Sequence, residues 1–451
     1  MIDANFKTKL FLAAARLGFQ NWELYYMQAK NFSVKVLNGE INEYKNSDTL
    51  GLCFRGMYRG RMGYAFTERP DENMIEPMLT QAIKNAKIIE SEDIVNLYKG
   101  DSIYPKIHSY NPAINEISVS EKIQLALDME RAAYETDSRV KLVNYCAVSN
   151  GESEIYITNS FRLDQQYKSN HILAYLQAIV EENEITKTGF KEWHGRDISD
   201  FSPQSLAREA VNEALAMLPA KSLDSGNLPV VFDKYMACDL FSVFARAFFA
   251  ETAQKGFSLL RNKTGQQIAA DIVTIHDDGI HPDSLGSVPF DSEGVSCRNK
   301  VVVENGVLKT LLYNLKSAEK ENKHSTGNGF KSSFRSPVDT ACTNFYVLPS
   351  DISFDSLLSK VDQGLLVTDL AGLHSGANPI TGDFSLSASG FEIKNGKKLR
   401  PVEQVTVSGN FFELLKNIAA IGDDLRFDLP SSTGTIGMPS ILVRDLSVAG
   451  G

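Results

Sequence analysis

Two stretches of this chain carry residue types and spacings that could do chemistry. The first reads His276-Asp277-Asp278-Gly279-Ile280-His281-Pro282-Asp283, two imidazoles and three carboxylates close together. Nitrogen and oxygen donors at that density could hold a divalent metal. Gly279 and Pro282 account for the same spacing as a polar turn, so His276 and His281 are only weak metal candidates. The second stretch runs from Gly372 to Asn410. His374, Asn378, Thr381 and Asp383 crowd a loop punctuated by Gly and Pro, and Ser385, Ser387 and Ser389 then alternate with Phe384, Leu386 and Ala388. A period of two puts the hydroxyls on one face of a strand and the apolar side chains on the other. With more polar functionality than a turn needs, His374, Asn378, Asp383, Ser385 and Ser387 are the candidate binding residues. The same residue types would also suit an ordinary long connection. His374 with Asp383 could form a base and its orienter, although a loop imidazole is more often a structural hydrogen-bond partner.

Other signatures of catalysis are missing from the sequence. No H-E-x-x-H occurs, so there is no helix face with two imidazoles one turn apart beside a glutamate base. Ser431-Ser432-Thr433-Gly434 is not a nucleophile elbow, and Gly327-Asn328-Gly329 lacks the lysine of a phosphate-binding loop. Arg335, just after the run from Ser325 to Ser333, could meet a carboxylate or simply face solvent. Cys53, Cys146, Cys238, Cys297 and Cys342 are far apart with no C-x-x-C, which argues against a disulfide framework or a thiolate zinc site.

The elements that must position these residues follow a repeated order. Phe6, Leu10, Ala13, Ala14 and Leu17 mark a helix stopped by Gly18, and Trp22 to Thr67 reads as a small antiparallel sheet turned at Asn38-Gly39. A helix over 71–89 follows. Residues 91–117 have no clean period and contain Pro105 and Pro112, so they read as a linker. A second unit opens with the capping box Ser118-x-x-Glu121, continues into strands from Val140 with a turn expected at Asn150-Gly151, and ends in a helix started by Ser202-Pro203. The third unit begins with a strand at Val230 and a helix through Met236, Leu240, Phe244 and Phe248. Beyond it the chain is mainly β, with turns at Asn305-Gly306 and Asn395-Gly396. The expected class is α+β, with an N-terminal unit over 1–90, a linker over 91–117, a second unit over 118–220 and a mainly β domain over 226–451.

A chain of 451 residues is longer than one typical domain. Its formal net charge of −10 argues against a nucleic-acid surface. No apolar run approaches the ~18 residues of a membrane span, and MIDANFKTKL lacks the apolar core of a signal peptide, so a cytoplasmic location is expected.

A resemblance emerges when several motifs are taken in order. Leu312-Tyr313-Asn314, Ser325-Thr326-Gly327-Asn328, Thr343-Asn344-Phe345-Tyr346, Gly364 to Thr368, Asn378-Pro379, Thr381-Gly382-Asp383-Phe384-Ser385 and Gly437-x-Pro439-Ser440 resemble the TldD/PmbA family, in its TldE (PmbA) branch. Members are often labelled candidate modulators of DNA gyrase. The resemblance implies a two-subunit cytosolic zinc metallopeptidase acting on peptides or unfolded segments in an enclosed cleft. In the TldD-type subunit a helix carries H-E-x-x-x-H and a C-terminal cysteine adds a third ligand. Here the matching helix reads Phe241-Ser242-Val243-Phe244-Ala245-Arg246, and Thr433 lies near the expected place of the cysteine. The expectation is therefore a subunit without zinc or catalytic residues of its own, in which His374, Asn378, Asp383, Ser385 and Ser387 would face the cleft and hold an extended peptide that adds along an exposed strand. The subunit would be paired with a zinc-bearing TldD-type chain, or with itself when alone. Two other readings stay open: a self-sufficient hydrolase using His276 and His281, and a regulatory protein binding a DNA-topology enzyme.

Overall fold

The computed structural model of the protein describes residues 3–88 and 96–450. The boundary expected at residue 90, the last residue of the expected 71–89 helix and the start of the 91–117 linker lie outside those residues. The first unit is α1 (Ala4–Arg16), β1 (Asn21–Leu37), β2 (Glu40–Tyr58), β3 (Arg61–Thr67) and α2 (Ile75–Ile88). The second repeats the order: α3 (Val119–Thr136), β4 (Val140–Asn159), β5 (Asp164–Glu182), β6 (Ile185–Gly195) and α4 (Pro203–Ala216). The six strands form one sheet in the order β3-β2-β1-β4-β5-β6, joined by antiparallel pairing of β1 with β4 from Glu23↔Asn159 to Lys35↔Ala147. The small sheet read from Trp22 to Thr67 is thus one half of a larger one.

Local signals set the element ends. The Asp3 carboxylate accepts from the Asn5 amide at the start of α1, and Gly18 beyond its end has φ +87°. Ser118 and Glu121 make the full capping box, and Ser202 caps α4 with Pro203 in its first turn. Both residues of Asn38-Gly39, Asn305-Gly306 and Asn395-Gly396 have positive φ, as a type I′ turn requires. Glu130 of α3 completes the first of these turns, its carboxylate accepting from the Asn38 and Gly39 amides at 2.7 Å each.

Asn150-Gly151 is not a turn. β4 runs straight through it, with Gly151 opposite Asn31 on one side and His171 on the other. A Cβ at Gly151 would lie 2.8 Å from the His171 ring, so this glycine makes room for a neighbouring side chain.

Strand alternation divides the sheet into two faces. Leu24, Tyr26, Phe32, Val34 and Val36 of β1 pack under the four helices, whereas Tyr25 and its neighbours Cys53 and Ile155 face the C-terminal part against Phe290. There, β7 (Gly226–Phe232) is followed by α5 (Lys234–Phe244), β8 (Ile275–Asp278), β9 (Asn299–Glu304), β10 (Asn344–Val347), β11 (Gln363–Ala371), β12 (Asp383–Lys394), β13 (Lys397–Asn410), β14 (Thr435–Met438) and β15 (Ile441–Ala449). Five of these close into a ring, β13-β12-β11-β7-β15 with β15 returning to β13 at Thr406↔Ala449. A second sheet holds β9-β8-β10-β14. Helix α5 packs against β11 and β14, its Phe241 and Phe244 inside the largest core cluster. Helices and strands are segregated along the chain, which makes the class α+β. Among the described residues no helix is long and apolar enough to cross a membrane.

Candidate functional site

Between the helix-free face of the N-terminal sheet and the C-terminal part lies a cavity of about 530 Å³. Asn31, Ser153, Ser169 and His171 line it from the sheet, and Arg246, Lys331, Thr343 and Thr435 from the other side. Strand parity puts alternate residues of β1, β4 and β5 on this wall, because their neighbours are committed to the helices. Burial, with help from Arg196 and His194, lowers the pKa of His171, so its imidazole is neutral at pH 7. Cys342 is part of the opposite wall, where its amide and thiol both meet the Thr433 carbonyl at 2.9 Å. Burial holds that thiol well above its ordinary pKa, which makes it a poor nucleophile.

A buried charge network lies where the two walls meet. Arg55 Nε donates to Glu23 Oε1 at 2.6 Å, with both residues essentially buried, while Asp291, Glu293 and Lys331 approach from the C-terminal part. Asp291 accepts from the amides of Glu293, Val295 and Gly329, and Glu293 from the Leu315 amide at 2.7 Å. Burial and the neighbouring Glu293 push the Asp291 carboxyl up to about 8. The folded chain thus holds a proton there that an unfolded Asp has already released. Stability contributed at this position falls as pH rises from the ordinary carboxylate range towards about 8. Thermal unfolding midpoints of Asp291→Asn should therefore decline less steeply across that range than those of the unaltered chain. Equal slopes would remove Asp291 as the cause.

The residues singled out from the sequence lie elsewhere. His374, Asn378, Asp383, Ser385 and Ser387 are exposed, and none lines the cavity. Asn378 Oδ1 accepts from the Ile380 and Thr381 amides, and Ser385 meets Ser408 at 2.9 Å. Asp383 accepts from Thr381 Oγ1 and Asn410 Nδ2, so its carboxylate serves the loop and not His374. β12 pairs with β11 on one side and β13 on the other, which leaves no backbone edge for an added peptide strand. Any contact made here is through side chains.

His276 and His281 also have partners within the fold. His276 Nδ1 is 2.8 Å from Asn299 Oδ1, and the His281 ring packs on Tyr346 and Phe427. Asp277 pairs with Lys300 at 2.8 Å inside the protein. Among the described residues no three His, Cys, Asp or Glu side chains converge as a metal site. Arg335 does meet a carboxylate, that of Glu68 on the same chain.

Comparison with known proteins bears on this architecture directly. Residues 22–87, 112–218 and 225–450 match the models of domain 1, the central domain and the C-terminal domain of the PmbA/TldA metallopeptidases. The chain belongs to the PmbA/TldD metallopeptidase family. It is 28% identical over 436 residues to the metalloprotease PmbA homolog of Haemophilus influenzae, covering 95% of this chain and 92% of that one. The crystal structure of a candidate modulator of a DNA gyrase from Thermotoga maritima superposes with a TM-score of 0.91, at 31% identity and 99% coverage of both chains. TldE from Thermococcus kodakarensis has the same fold, with a TM-score of 0.89 at 23% identity over 98% of this chain and 100% of that one. These relatives place the chain in the TldE/PmbA branch of the family.

A metallopeptidase family raises the question of zinc, and Phe241, Ser242, Arg246 and Thr433, the positions singled out from the sequence, do not fit it. Phe241 is 1% exposed with its ring against Phe411, and Ser242 donates to the Asp239 carbonyl on the surface. Arg246 is a cation, and Thr433 faces Cys342 through its carbonyl. An apolar ring, a hydroxyl and a guanidinium offer no donor set for a tetrahedral cation. The motif alone made these positions legible. The cleft residues His171, Lys331, Thr343 and Thr435 were not, since no local pattern says which face of a strand a distant domain will cover.

Proposed function

We propose that this chain is the zinc-less, TldE-type subunit of a two-component peptidase, shaping a cleft for an extended peptide while a TldD-type partner supplies the metal and the catalysis. One observation carries the reading: a cleft of about 530 Å³ in a metallopeptidase fold, lined by both apolar and polar groups and bordered by Arg246 where a metal ligand would stand. Zinc hydrolysis needs three protein donors and an open position for water, and this cleft supports binding without that chemistry. The exposed row of Ser385 and Ser387, with His374, Asn378 and Asp383 beside it, is a second surface through which side chains would contact the peptide.

Zinc content and hydrolysis of an unstructured peptide, measured on the chain alone and after mixing with a TldD-type subunit, decide the matter. The expected result is substoichiometric zinc and no turnover alone, with turnover in the mixture. Stoichiometric zinc together with turnover by the isolated chain would overturn the proposal.

A further inference from the structure

The cleft has polar features that simple shape does not explain. Thr343 and Thr435, which both line it, are 2% and 0% exposed, yet the hydroxyl of neither has a hydrogen-bond partner. Buried hydroxyls are nearly always satisfied, so two orphans on one cavity mark a place for a polar group from outside the fold. The two threonines are neighbours, since the Thr435 amide donates to the Thr343 carbonyl at 2.9 Å. Arg246 lies on the same wall, and its charge is felt at Cys342, the residue before Thr343. Among the described residues its one charge partner is Asp339 at 3.9 Å, beyond hydrogen-bond length. A guanidinium with unused donors, half exposed into a cleft, is built to take a planar anion through two parallel hydrogen bonds.

The other charges on the cavity allow this. Lys331 adds a second cation, with its ammonium on the Ser336 carbonyl. The carboxylates are Asp339, which shares Arg246, and Glu152, which is held by Asn115 at 2.6 Å on the opposite wall. The lining is therefore not repulsive to an anion, and its free donors cluster on one side.

We propose that Arg246, with the hydroxyls of Thr343 and Thr435, forms a carboxylate subsite in this cleft that anchors a peptide by an acidic group. The inference rests on the peptide-cleft reading above and adds the chemical class of what the cleft grips. The carboxylate can come from a free C-terminus or from a Glu side chain, and the same donors serve both.

The test is fluorescence anisotropy on the full chain with three N-terminally labelled hexapeptides: a free acid, its C-terminal amide, and an amide with one internal Glu. The free acid or the Glu peptide should bind about tenfold or more tightly than the plain amide, the size of one charge-assisted hydrogen bond. Whichever of the two binds tightly identifies the source. Arg246→Gln should bring that peptide to within about twofold of the plain amide, and Arg246→Lys should restore part of the difference. Thr343→Val, with an unchanged unfolding midpoint as its control, should lower affinity for the acidic peptide alone. Equal binding of all three peptides would overturn the subsite and leave the cleft reading standing. Failure of every peptide to bind would overturn both.

Discussion

Replacing Arg55 with alanine is expected to destabilise the protein by about 3–5 kcal/mol, the cost of leaving one partner of a buried ion pair uncompensated. Arg55 is 2% exposed and Glu23 0%. Removing the guanidinium leaves Glu23 without its 2.6 Å donor and Glu293 without the cation that most favours its charged form, both deep inside the protein. Because the pair sits where β1 and β2 meet the C-terminal part, the loss should appear as a lower urea midpoint for the whole chain and as earlier proteolysis between the two walls of the cleft. The double variant Glu23→Leu with Arg55→Met, which removes both charges and keeps the volume, should recover most of the stability. A cost below about 1 kcal/mol for Arg55→Ala would mean that water reaches the pair and that the walls are held by other contacts.

The second large effect concerns helix α5. Phe244 is fully buried, stacked on Phe411 with ring centroids 4.5 Å apart, and also contacts Phe384 of β12. Phe244→Ala should cost about 3–5 kcal/mol, through lost burial and a cavity that the closed ring of strands cannot collapse to fill. On the same helix Ser242 is exposed, and Ser242→Glu should change stability by less than about 0.5 kcal/mol. Denaturant unfolding of the two variants compares the faces directly. Similar costs at both positions would contradict the packing of α5 against β11 and β14. Phe241 on the same helix also faces the aromatic core, with its ring against Phe411.

Much of this protein was legible before its fold. Ser118-x-x-Glu121 and Ser202-Pro203 specify helix starts because a cap is made within four residues of chain. Asn38-Gly39, Asn305-Gly306 and Asn395-Gly396 make the turns expected of them for the same reason, since the positive φ values a type I′ turn needs come readily to this pair. Asn150-Gly151 fails because β4 is flanked on both sides, and the continuing ladder and the His171 ring outweigh the local preference for a turn. The polar alternation of residues 384 to 389 was correctly legible as one wet and one packed face. What that wet face looks at was not.

The sequence alone therefore determined the α+β class, the helix caps and the family, because each is written in adjacent residues or in residue identity. Only the tertiary structure decided that two similar units share one sheet, that its odd-numbered face closes over Arg246, Thr343 and Thr435 as a cleft, and that Glu23 finds Arg55 in the interior. Those outcomes depend on register and burial between segments far apart in the chain, and charge and packing energies there are set by neighbours that no local pattern names.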